Sequence, residues 1–266
     1  MSARTLILAY HAIEAGPAPL CIDPSTFRAH LDLIAEAPVR VIGLDRLREE
    51  VRAGGPHERS VALTFDDGFA SVAEHAAPLL LERRIPATVF CVAGHLGGVN
   101  EFASDPPSAP KLPLAGAATL AELAAAGFGL GSHGTAHLPL ELADADEALL
   151  RREIVDSRAT LEQRIGSRVD WFAHPYGSLP GPRGRTLIER TYAGACGDGL
   201  RSVRPGDGVH ALPRVDTHYL RHPALMRRVL AGDGDSYLRL RRLGARARRA
   251  VRRDFVAPAP AADPPR

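Results

Sequence analysis

The chain has 266 residues, 45% hydrophobic and 24% charged, which is enough for one large α/β domain with a proper core. A net charge of +2 excludes a general polyanion binder, although the arginines crowd toward the C-terminus. Three cysteines, Cys21, Cys91 and Cys196, lie far apart; their odd number excludes a complete intrachain disulfide framework and favours a reducing compartment.

The N-terminal "MSARTLILAYHAIE" reads as a first strand rather than a signal peptide, and no stretch is long and apolar enough to cross a bilayer. A cytoplasmic location is therefore expected. Asp23-Pro24 then opens a helix on which Phe27, Leu31 and Ile34 share a face, because Asp caps well and Pro suits a first turn. "VRVIGL" follows, then a short helix from about Asp45 to the Gly54-Gly55 stop. Next come the strand "SVALTF" and the helix "SVAEHAAPLLLERR", which Pro78 should kink or effectively start.

After the strand "ATVFCV", residues 94–118 form a Gly/Pro-rich excursion with no clear period and read as a long loop. Thr119 and Glu122 make a capping-box pattern ahead of "LAAAG", and "FGLGSH" is a strand and turn. The longest helix is expected over Asp144 to Ile165, with Gly166 closing it. "RVDWFA", a helix near Arg185 to Tyr192, a small strand around Ala193 to Cys196, and "HALPRV" complete the pattern.

Repeated β–α alternation implies parallel strands joined by helical crossovers. The fold expected is a distorted (β/α) barrel of about seven parallel strands, since no G-x-G-x-x-G follows the first strand. The main domain is expected over 1–235, a basic helix over 236–255 and a disordered tail over 256–266. The segment "YLRLRRLGARARRAVRR" is either a solvated helix on the outside of the barrel or a peripheral contact with an anionic membrane surface. Nucleic-acid binding is not expected there, because stacking aromatics are scarce.

Chemistry concentrates where strands end. His11 follows "LILAY", Asp66-Asp67 follow "VALTF", His133 and His137 follow "FGLGS", and His174-Pro175-Tyr176-Gly177 follow "DWFA". In a parallel (β/α) barrel those ends share one face, and that face carries the active site. The spacing His133-x-x-x-His137 lets two imidazoles reach one divalent ion, and a single carboxylate completes a two-His, one-carboxylate set. Alone, H-x-x-x-H is a weak signal and D-D-G is ordinary cap and turn chemistry; joined on one face they discriminate. One aspartate would hold the ion, while the other accepts a proton from water beside it.

"TFDDG", "SHGTAH" and "FAHPYG" resemble, in order and separation, three motifs of the polysaccharide deacetylases of the NodB-homology type, carbohydrate esterase family 4. "AYHAI" resembles the Tyr-His-x-Ile motif of the poly-β-1,6-N-acetylglucosamine deacetylase branch. The resemblance spans about Leu6 to Val215, with a motif core at 59–215.

It implies Asp66 as general base and Asp67, His133 and His137 as ligands of zinc, with cobalt, nickel or manganese as alternatives. It further implies His11 as general acid, with His218 as rival, and a backbone N–H near Tyr176 for the oxyanion. The substrate implied is an N-acetylated glycan or glycoconjugate; a non-polymeric or O-acetylated substrate, and a non-catalytic glycan-binding role, are the alternatives. The arginine usual in the third motif is replaced by Ala173, and Arg214 is the candidate to replace it. His174 occupies a position commonly aromatic in this branch. His30, His57, His75 and His95 read as surface groups, Trp171 as core, and Phe102 in the long loop as a sugar-stacking candidate.

Overall fold

The computed structural model describes residues 3–251. The expected disordered segment 256–266, and the basic helix beyond Val251, lie outside the described residues. β1 (Arg4–Tyr10) and β3 (Arg59–Phe65) are apolar runs buried on both faces, as parallel strands covered by helices must be. α1 (Pro24–Glu36) links β1 to β2 (Arg40–Val41), and α2 (Leu44–Arg52) links β2 to β3. α3 (Ala77–Glu82), β4 (Ala87–Cys91), α4 (Ala117–Ala125) and β5 (Gly129–Ser132) follow. After β5 come α5 (Leu140–Ala143), α6 (Glu147–Arg151), α7 (Ser157–Ile165), β6 (Trp171–Ala173), α8 (Pro182–Thr191) and β7 (Gly194–Cys196). β8 (Val215–Asp216), α9 (Pro223–Ala231) and α10 (Asp235–Val251) close the described chain.

The sheet order is β7-β6-β5-β4-β3-β1-β8 with β2 added beside β3, and every pairing between these strands is parallel. Seven strands thus curl into the expected distorted barrel. β7 makes an isolated parallel bridge, Cys196–Leu212, to the segment that leads into β8. Alternate strand residues form two apolar layers: Ile7, Ala62, Phe90 and Trp171 fill the inside, while Leu8, Leu63, Val89 and Phe172 pack against the helices. Trp171 is core as expected, its indole N–H donating to Asp45 at 3.0 Å.

Asp23 caps α1 by accepting from the Ser25 N–H at 2.8 Å, and Phe27, Leu31 and Ile34 are buried. His30 is buried with them, which corrects its reading as a surface group: it stands three residues from Phe27 in the same stripe, and its Nδ1 lies 3.1 Å from the Tyr10 hydroxyl. His57 and His75 are exposed, whereas His95 meets the Phe102 ring edge-on at 5.1 Å.

Two helix starts differ from expectation. α4 begins at Ala117 with Gly116 as cap and no side-chain cap, so Thr119 is inside the helix and caps nothing. The long helix begins at Glu147 under an Asp146 cap and contains a π turn, Arg152–Asp156, between α6 and α7. A second π turn, Val72–Ala76, precedes α3, where Pro78 has no N–H to give. Gly166 closes α7 at φ 74°, as expected.

Candidate metal centre and catalytic cavity

Asp66 continues the inward alternation Ala62, Thr64, Asp66, and its N–H donates to the Tyr10 carbonyl at 2.8 Å, one residue beyond the end of β3. A further extended residue would face the helices. Instead Asp67 takes φ 67° and Gly68 φ 77°, so the chain turns at Asp67 itself and swings its carboxylate back to the inside. Two adjacent acids thereby reach one site.

Asp67, His133 and His137 offer ligand atoms that all lie within 4.8 Å of one another, and all three are buried. Asp67 Oδ1 stands 3.6 Å from His133 Nε2 and 3.3 Å from His137 Nε2. The Nδ1–H of His133 donates to the Ala173 carbonyl at 2.8 Å, which turns the Nε2 lone pair toward Asp67. His137, at φ 55°, is held between the rings of Phe102 and Tyr176 at 4.3 and 4.4 Å. Phe102 is only 4% exposed, so it packs against His137 rather than offering a free face to a sugar, which corrects its reading as a stacking platform.

Burial pushes His133 down to about 4 and His137 well below its ordinary value, so both imidazoles are neutral and able to ligate. Burial, with the charges of Asp66 and Asp105, raises Asp67 to about 7. Its buried Oδ1 has no hydrogen-bond partner among the described residues. This set fits a divalent cation: two neutral nitrogens and an unpartnered carboxylate oxygen converge, and a cation there would favour the ionised form of Asp67 against its burial.

Asp66 has a different environment. Arg214 Nη1 and Nη2 donate to its two oxygens at 2.6 and 2.7 Å, and Nη1 also donates to Thr64 Oγ1 at 3.1 Å. Burial opposes ionisation of Asp66, but the guanidinium outweighs it and holds the carboxyl well below the usual carboxylate range. Arg214 stands one residue before β8, not after a strand end, and its length carries the charge inward.

His11 Nε2 is 4.0 Å from Asp66 Oδ2. Burial would lower His11, yet the carboxylates of Asp216, Asp67 and Asp66 raise it above its ordinary value.

A cavity of about 680 Å³ joins these groups and is also lined by His174, Tyr176 and Gly177. Pro175 is buried and starts the turn that presents Tyr176 at φ 55°; it does not line the cavity. His174 packs edge-on to Phe172 at 5.4 Å, and burial takes it down to about 3. His218 does not line the cavity, whereas Asp216, two residues earlier, does.

Three lining or bracing groups escaped the sequence reading. Asp216 follows "RV" and was accessible to the strand-end rule. Asp105 accepts the Tyr176 hydroxyl at 2.5 Å from a Pro-rich loop that carries no period. Glu153 interrupts the apolar stripe Leu150, Ile154, Leu161, a signal easily read as a solvated edge.

A family model described as polysaccharide deacetylase matches residues 53–189. The poly-beta-1,6-N-acetyl-D-glucosamine N-deacetylase of Staphylococcus aureus (strain N315) is 26% identical over 162 residues, covering 59% of this chain and 54% of that protein. YxkH of Bacillus subtilis (strain 168) is 23% identical over 179 residues, 66% of this chain and 57% of that protein. The chain thus spans little more than half the length of these curated relatives. Among solved structures, IcaB from Ammonifex degensii superposes with TM-score 0.70 at 22% identity, over 88% of this chain and 98% of that one. The Streptococcus pyogenes deacetylase PplD, solved in complex with acetate, gives 0.66 at 20% identity, over 81% and 93%. At these identities the superpositions establish the shared fold.

Proposed function

The chain belongs to the polysaccharide deacetylase family, and from that premise we propose that it is a metal-dependent hydrolase that removes N-acetyl groups from an N-acetylated glycan or glycoconjugate of the N-acetylglucosamine type. The observation that carries this reading is the pairing, within one cavity, of an Arg214-clamped Asp66 with the Asp67, His133 and His137 triad. A binding module would need no such juxtaposition.

A divalent ion on the triad, zinc by the donor set, would supply a Lewis acid for the amide carbonyl and lower the proton affinity of water. Asp66, ionised and fixed in plane by two hydrogen bonds from Arg214, accepts a proton from the attacking water. The oxygen of that water bonds to the acyl carbon, and the backbone N–H at Tyr176 is assigned to the oxyanion. His11, whose proton affinity the carboxylates of Asp216, Asp67 and Asp66 raise, gives its proton to the nitrogen as the C–N bond breaks. Acetate and a free amine leave.

His174, neutral and on the cavity wall, is assigned to substrate contact. Peripheral contact with anionic lipid is assigned to α10, whose Leu240 and Leu243 are 70% and 57% exposed beside Arg239 and Arg241. Among the described residues no helix is long and apolar enough to cross a membrane.

Acetate release from N-acetylglucosamine oligomers, with and without chelator, tests the assignment. Release that survives both chelation and Asp66→Asn would sink it, and ester-only release would move the substrate to an O-acetyl sugar.

A further inference from the structure

His133 and His137 are fixed by unlike means. His133 extends β5: its N–H donates to the Cys91 carbonyl at 2.8 Å and its ring to the Ala173 carbonyl at 2.8 Å. His137 lies at the far end of a tight turn, with Gly134 at φ 80° and His137 itself at φ 55°. A non-glycine residue stays in that region only where its surroundings over-determine it.

Those surroundings come from the long helix. The Glu153 side chain is 0% exposed, and its Oε2 accepts the N–H groups of Thr135 at 2.9 Å and Ala136 at 3.0 Å. Two successive backbone N–H groups around one carboxylate oxygen make an anion nest. The fit is close: a Cβ on Gly134 would come within 2.8 Å of Oε2. The Thr135 hydroxyl donates to the Arg152 carbonyl at 2.7 Å, and the Gly134 N–H donates to Ser132 Oγ at 3.2 Å. Both Arg152 and Glu153 belong to the π turn Arg152–Asp156, a widened turn of a kind that often marks functional sites.

We propose that Glu153 is the positioning residue of the metal centre: its buried carboxylate holds the turn between His133 and His137 and so sets the spacing of the two imidazole donors. The inference rests on the reading of the triad as a metal site. Glu153 touches neither the ion nor the substrate. It acts through the half-buried N–H groups of Thr135 and Ala136, which without it would lose their carboxylate acceptor, and the turn would relax at its strained end. His137 would move while His133 kept its place.

The test is zinc affinity of the full chain by competition with a chromophoric chelator, together with cobalt absorption spectra and the melting temperature of metal-free protein. Glu153→Ala should weaken zinc binding by about 10–100-fold, the usual effect of losing such a support. Glu153→Asp withdraws the carboxylate by one methylene and should weaken it by at least about fivefold, whereas Glu153→Gln keeps the reach and one acceptor and should stay within about threefold. Leu161→Ala, in the same helix but away from the turn, should lower the melting temperature with zinc affinity unchanged.

Equal affinities for wild type and a folded Glu153→Ala would overturn the proposal. So would a Leu161→Ala loss as large as that of Glu153→Ala, since the effect would then be general stability. If Glu153→Ala fails to fold, equal affinities for Glu153→Asp and Glu153→Gln overturn it instead. A wild-type chain that binds neither zinc nor cobalt would sink the metal reading itself, and this inference with it.

Discussion

Arg214 and Asp66 stand 148 residues apart in the chain and meet as a buried, two-pronged ion pair at 2.6 and 2.7 Å. Arg214 lies outside the residues 53–189 matched by the family model. The cation that orients the proposed base therefore comes from a part of the chain beyond the match to the family model. Arg214→Lys cannot reproduce the fork geometry, and Arg214→Met leaves a buried carboxylate uncompensated. Acetate release should fall by about 100-fold in both, and Arg214→Met should also lose about 3–5 kcal/mol of stability, read by urea denaturation. A fully active Arg214→Met would remove Arg214 from the mechanism.

The adjacent aspartates should separate by measurement. Asp66→Asn should keep stoichiometric zinc, assayed by mass spectrometry of the metal, while turnover drops by about 10²–10⁴. Asp67→Asn should lose the metal. An Asp66→Asn protein that arrives without zinc would reverse the division of labour.

His11 should control the alkaline limb of the pH profile. Neighbouring carboxylates raise its proton affinity above the ordinary histidine value, so the acid form should be lost as pH climbs through that raised value. Asp66 is depressed and stays ionised throughout, so the limb cannot come from it. In His11→Gln, kcat/KM should fall by about 10²–10⁴ and the alkaline limb should disappear; an unchanged limb would assign it elsewhere.

His30 predicts a stability effect far from catalysis. Burial takes it down to about 4, against about 6.5 in the unfolded chain. Between those values the unfolded chain binds a proton that the native chain does not, so stability rises with pH and is lost on acidification, by about 3 kcal/mol once pH is below 4. His30→Gln should narrow the difference in urea midpoint between pH 7.5 and pH 4.5. The same difference in both proteins would contradict this.

The exposed leucines of α10 give a binding prediction. Leu240→Glu with Leu243→Glu should reduce co-sedimentation with vesicles containing anionic lipid and leave turnover of soluble oligomers unchanged. Equal partitioning would confine α10 to a solvated role.

His30 and Phe102 show where one-dimensional reading stopped. His30 sits in the helical stripe of Phe27, Leu31 and Ile34, so its burial was written in the spacing, but residue type argued for the surface. Phe102 had no periodic context at all. Its partner, His137, is 35 positions away, and only folding of the Pro-rich excursion over the cavity brings the rings to 4.3 Å.

The β–α alternation, the capped first helix, Gly166 as a helix stop and the strand-end histidines were legible because each follows from local periodicity or turn chemistry. The sequence by itself also marked His133, His137 and the Asp66-Asp67 pair as candidate ligands, while the choice of Asp67 came from the family resemblance. Tertiary structure alone decided that Asp67 turns back at φ 67°, that Arg214 clamps Asp66, and that the Glu153 carboxylate accepts the N–H groups of the turn between His133 and His137. Those three depend on contacts across the barrel, where no local pattern constrains which residues meet. They are set instead by the curl of the sheet and, at Asp66, by the need to pair a buried charge.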